Sequence, residues 1–279
     1  MSFSIKEIKV SSWNELLSVI HSRQIIQTRE IEGGHLRSPY VFRGMDVAKW
    51  GLETSLQRLP KINTANISLL ETSLIRSFRK YANAGAFDEK SEWYILAVAQ
   101  HNGLPTRVLD WTISPLIAAH FACGDEKYKN DDGVIWCLHA GILRDFNEEN
   151  NKSAGSLHGV AWVYDTRLLE KQFTDLESLD LSLANSPLML LWQPPSLDSR
   201  IASQSGLLSL MNSPDESHSD FILKHSERSP DLALKIIIEA KAKSEIRDML
   251  DQNGISERII FPGLPGLCNW LKRYYGKAW

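Results

Sequence analysis

One connection in the 279-residue chain crowds together groups able to hold or move protons: Gln100-His101-Asn102-Gly103-Leu104-Pro105-Thr106-Arg107-Val108-Leu109-Asp110-Trp111-Thr112. Seven of these side chains are polar, set between apolar stretches. Polar groups that enter an apolar frame cost free energy unless they are paired or put to use. Connections held by rigid elements are where binding and catalytic groups concentrate. An imidazole (His101) and two carboxylates (Asp110, and Glu239 within Ile236–Lys241) are candidate general bases. Each also has a plain structural reading. His101 can be a satisfied histidine at a helix end, Asp110 a structural partner of Arg107, Glu239 a solvent-facing strand residue, and Thr112 or Ser114 a helix cap.

The elements that must position this cluster are legible in the spacing. Ile67, Leu70, Leu74, Phe78 and Tyr81 recur at three- and four-residue steps, which predicts a helix over 66–83. A second helix is expected over about 91–101 and a third over about 115–123, the last entered through Ser114-Pro115, the cap-then-proline order favoured at helix starts. Residues 3–30 read as a strand followed by a helix, and Gly33-Gly34 as a turn. Tyr40–Gly44, Gly133–Leu138, Leu188–Trp192, Gly206–Met211 and Leu234–Ala240 read as strands. The stretch 143–186, with Asn-rich and Ser-rich patches, reads as long surface loops with a short helix. A helix over 243–252 is stopped by Asn253-Gly254, and Phe261–Gly266 carries two turn signals in a segment expected to dock on the core. Helices first, then mostly strands, then a closing helix fit an α+β fold: a helical N-terminal part packed on a mostly antiparallel or mixed sheet. No linker divides the chain, so one domain over 31–279 with an N-terminal extension over 1–30 is expected.

Composition excludes several classes. Apolar residues are 43% and charged residues 23%, ordinary for a globular chain and unlike a disordered, collagenous or coiled-coil one. The net charge of −3 supplies no general pull toward nucleic acid or an anionic membrane. No apolar run reaches membrane-spanning length, and Met1–Val10 has no apolar export region, so a cytoplasmic protein is expected. Cys123, Cys137 and Cys268 lack CxxC spacing and read as reduced, buried thiols without chemistry. The histidines show no metal-ligand spacing, and phosphate-loop, dinucleotide-fingerprint, zinc-protease and nucleophile-elbow motifs are absent, so no metal is expected.

Tyr40-Val41-Phe42-Arg43-Gly44, the Gln100–Thr112 string and Ser114–Ala122 together closely resemble the FRG-domain family, named for its Phe-Arg-Gly motif. Arg200–Gly206, with Gln204, and the tail Gly254–Leu267 resemble its later motifs. The motif order is in turn similar to that of ADP-ribosyltransferase-like folds. That similarity implies an NAD or nucleotide site with Arg43 on a first strand, Thr112 and Ser114 ahead of Ala118 and Phe121, and Gln204 late in the sheet. Within it, Arg43 would hold phosphate oxygens bidentately and Thr112 or Ser114 would bind the ribose beside a helix N-terminus. Trp111 would stack on a ring, with Thr106 and Arg107 also in the binding set. Gln204 can orient a group but cannot take a proton, which leaves the base to His101 or Asp110. The resemblance thus implies a bacterial effector, a toxin or phage-defence protein, that transfers ADP-ribose to a macromolecular acceptor or cleaves NAD. The alternative is a non-catalytic module that senses a nucleotide or a protein.

Overall fold

Short runs rich in Val, Ile, Leu and Trp supply strands, and capped amphipathic or wholly apolar segments supply helices. A computed structural model describes residues 5–29, 35–59, 66–82, 87, 90–150, 163–182, 187–194 and 206–276. Its strands are β1 Lys6–Val10, β2 Gln27–Arg29, β3 His35–Arg37, β4 Tyr40–Met45, β5 Val108–Thr112, β6 Gly133–His139, β7 Tyr164–Asp165, β8 Met189–Gln193, β9 Gly206–Met211 and β10 Ala233–Ile238. The helices are α1 Trp13–Ile20, α2 Ile67–Tyr81, α3 Glu92–His101, α4 Pro115–Ala122, α5 Ala140–Asn150, α6 Thr166–Gln172, α7 Leu176–Ser182, α8 His218–Ser226, α9 Lys243–Gln252, α10 Glu257–Ile260 and α11 Leu264–Tyr274. None of the described helices is long and apolar enough to cross a membrane.

Eight strands form one mixed sheet in the order β1-β10-β6-β4-β5-β9-β8-β7, and β2 with β3 makes a separate ribbon. The fold is α+β, as expected. Pairing is parallel at the two outer pairs and antiparallel between them. The seam between β4 and β5 is different from the rest. β4 pairs with β6 from Tyr40↔His139 to Met45↔Val134, and β5 pairs with β9 from Val108↔Leu210 to Thr112↔Gly206. β4 and β5 share the single pair Phe42↔Thr112, so the sheet opens beyond it into two halves.

Three apolar cores follow from this split. One face carries two of them. Phe42, Ile135 and Ile236 pack under α1, α4 and α9 on the β4 side, and Val108, Leu190 and Leu210 pack under α3, α6 and α7 on the β5 side. The opposite face has one core shared by both halves, with Val41, Trp136, Leu109, Trp111 and Leu191 against α5 and α8. Trp93 and Trp192 are fully buried, with ring centroids 6.1 Å apart, and each indole N–H finds an oxygen, Phe173 O at 2.8 Å and Thr166 Oγ1 at 3.1 Å.

Several expectations need amendment. The stretch read as an N-terminal extension supplies β1, which completes the sheet beside β10, and α1, which buries Trp13, Leu16 and Ile20. Within 143–186, expected as long surface loops with a short helix, lie most of α5 and the whole of α6 and α7. Their buried Phe146, Leu169 and Leu179 are spaced for packing among polar neighbours. α8 was not expected at all, although Ser217 caps it through Asp220 N. Cys123 and Cys137 are buried, whereas Cys268 is exposed on α11. Gly33-Gly34 and Arg200–Ser205 lie outside the described residues.

Two buried histidines tie stability to pH. Burial holds His218 down to about 3 and His120 down to about 4, from an ordinary 6.5; the Arg43 charge adds to the first. The unfolded chain therefore takes up these protons before the folded one does. Their contribution is whole above pH 6.5 and is lost as pH falls toward the folded values. At pH 5 the loss is about 2 kcal/mol for each histidine. Urea midpoints measured from pH 7.5 to 5 should fall accordingly, and His120→Gln should roughly halve the slope; a flat profile would contradict neutral burial.

Candidate functional site

The open seam is where the polar cluster collects. A cleft of about 260 Å³ lies over it, floored by Phe42–Gly44 and Asp110–Thr112 and walled by Gln100 and His101 of α3 and Phe121 of α4. α3 ends on this wall because Gly103 takes φ +82, which lets Gly103 N and Leu104 N bond back to Gln100 O and Ala99 O. α4 begins there because Ser114 Oγ accepts from Ile117 N, Pro115 needs no partner, and Thr112 Oγ1 accepts from Ser114 N.

The Phe-Arg-Gly triplet has a physical division of labour. Phe42 is fully buried between β4 and α4. Gly44 lies directly under α4: an ideal Cβ there would stand 1.8 Å from Ala118 O and 2.8 Å from Ala122 N, so only glycine lets the helix sit on the strand. Arg43 alternates to the other face and reaches across the seam, where Nη1 donates to Asp110 O at 2.6 Å. A guanidinium thus takes the acceptor that a continuing β4–β5 ladder would have used.

The remaining candidates divide into two groups. His101, Asp110 and Thr112 line the cleft with Arg43. Asp110 projects an exposed carboxylate that accepts from Gln100 Nε2 at 2.8 Å, and Gln100 Oε1 in turn accepts from Thr106 Oγ1 at 2.5 Å. Trp111 borders the cleft, but its ring, like the side chains of Thr106, Arg107 and Ser114, is committed elsewhere. Thr106 is wholly buried, and its backbone is clamped by Ser55 and Leu56. The Trp111 ring sits in the shared core, with Nε1 donating to Ser209 Oγ at 2.8 Å. Arg107 does not pair with Asp110, as the sequence suggested. It is 2% exposed and held by Glu71, with Nε on Oε2 at 2.7 Å, and by Asp180. Glu239 faces Lys241 at 2.8 Å at the edge of a 3-10 turn and does not line the cleft. Gln204 lies outside the described residues. Glu71 and Asp180, the partners that fix Arg107, carried no signal in sequence beyond being carboxylates on separate helices.

An α+β protein whose mixed sheet parts at one seam between two helices is the class this fold and cleft define. A family model of the FRG domain matches residues 38–131, and the chain carries an FRG domain over that stretch. The whole lining of the cleft, from Phe42 to Phe121, falls inside it, whereas the later motifs do not. No curated protein and no solved structure matches the chain.

Proposed function

We propose that the seam cleft binds the nicotinamide–ribose end of NAD, or a comparable nucleoside, and that the protein transfers ADP-ribose to a macromolecule or hydrolyses NAD. The observation that supports this reading is the cleft itself. A permanent cation in its floor, a hydroxyl (Thr112), an imidazole (His101) and an exposed carboxylate (Asp110) converge on a space large enough for one ring and its sugar, all within the FRG-domain match. In the hydrolytic case, water attacks C1′ of the nicotinamide ribose and the C1′–N bond breaks. Nicotinamide leaves with the electron pair, and the water's proton passes to Asp110 or His101. The charge that spreads over the sugar in an oxocarbenium-like transition state is opposed by the Asp110 carboxylate. Phe121 and Phe42 exclude bulk water from one side.

A second reading is a nucleotide sensor without chemistry. It draws on the engagement of Arg43 with a backbone carbonyl and of Asp110 with Gln100.

Incubation with NAD, following nicotinamide release and the melting temperature, separates the two. The enzyme reading expects release that falls about 100-fold or more in Asp110→Asn or His101→Gln, since a general base contributes at least that much. Neither Asp110, which is exposed, nor His101, which is half-buried, should alter the melting temperature much. A melting shift without release supports the sensor, and neither signal from NAD or simpler nucleotides removes both readings.

A further inference from the structure

Behind the seam, Arg43 and His218 present buried polar atoms that need completing. Among the described residues, Arg43 Nε and the ring nitrogens of His218 are buried with no close side-chain hydrogen-bond partner. The two side chains come from different directions, Arg43 from β4 and His218 from the first turn of α8, and the guanidinium charge acts on the imidazole. His218 is wholly inaccessible, and the Ser209 backbone carbonyl acts on its ring as the acceptor for one N–H.

Chemistry limits what can complete this arrangement. A guanidinium next to a dry imidazole keeps the ring neutral, with one N–H and one lone pair. Arg43 Nε adds a second N–H. The smallest group that accepts from Arg43 and donates to the His218 lone pair is a water molecule. Leaving the Arg43 Nε–H and the imidazole lone pair unpaired costs more than immobilising one water, and such waters are a regular part of protein interiors.

We propose that one ordered water is bound between Arg43 Nε and His218, and that His218 is thereby the positioning residue that holds the guanidinium across the seam. The Nη1 bond to Asp110 O fixes one end of the guanidinium, and the water and imidazole fix the other. The inference stands on buried geometry and does not need the cleft to bind a nucleotide.

NMR on the full chain labelled with ¹⁵N tests it. The Arg43 Nε–H should be protected from exchange and show a cross-peak to a long-lived water. The His218 ring should keep one protonated nitrogen from pH 8 to 5. His218→Leu should erase the water cross-peak and speed Nε–H exchange tenfold or more, and His218→Gln, whose amide can bond the same water, should restore both. If the leucine variant fails to fold, the wild-type and glutamine spectra decide. An unprotected Arg43 Nε–H, a direct Nε–H···N bond with no water, or a His218 that titrates near 6.5 would overturn the proposal.

Discussion

Gly44→Ala should cost the protein more than about 3 kcal/mol, or prevent it from folding. Overpacking of a core commonly costs about 1–3 kcal/mol when side chains can yield. Here they cannot, because the atoms in the way are Ala118 O and Ala122 N, both part of α4's own backbone. To accept a methyl group, α4 would have to lift from β4. It would carry Phe121 out of the cleft wall and break the packing of Ala118, Ala119 and Ala122 on Phe42 and Ile135. A fall in melting temperature of about 6 °C or more is expected for a chain of this size. Thermal unfolding of the alanine variant measures it. A melting temperature within 2 °C of wild type would mean that the helix does not rest on the strand as described.

The second large effect concerns Arg107. Arg107→Met should destabilise the fold by about 3–5 kcal/mol, because it leaves a carboxylate stranded in the interior. Glu71 is 1% exposed and of its bonds to Arg107 would keep the one from the backbone N–H, at 3.1 Å. Removing the stranded charge should give most of that back. The double variant Glu71→Leu/Arg107→Met is therefore expected to be more stable than Arg107→Met alone, since a buried ion pair replaced as a unit by apolar groups is often neutral. Urea denaturation of the two single variants and the double closes the cycle. Simple additivity would show that the pair is not coupled. In the same variants, any ligand-induced melting shift should persist, because the guanidinium points into the interior between α2 and α7 rather than into the cleft.

These two residues mark what could be read in advance. α4 was legible residue by residue, since Ser114 and Pro115 are local entry signals and the apolar run that follows needs no partner to be recognised. β9 was likewise legible as a short apolar run, and α9 was ended by the Asn253-Gly254 stop, where Gly254 takes φ +78. The family resemblance on Phe42–Gly44 and Gln100–Thr112 came from side-chain identity alone, and it located the cleft that the fold assembles.

Other features depend on neighbours far along the chain. Pro262 to Gly266 looks like two turns, yet α11 starts at Leu264. Proline is tolerated in a first turn, and Gly266 must have no side chain where it meets Phe261 O and Glu257 O. The sequence by itself determined the local elements, the α+β class and the cluster at Gln100–Thr112, because caps, periodicity and turn residues act over a few neighbouring positions. Only the tertiary structure decided which polar groups face the cleft. Arg107 turned inward because Glu71 and Asp180, distant in sequence, close around it. Arg43 bridges the seam because β4 and β5 pair at one position and leave the carbonyl of Asp110 open to it.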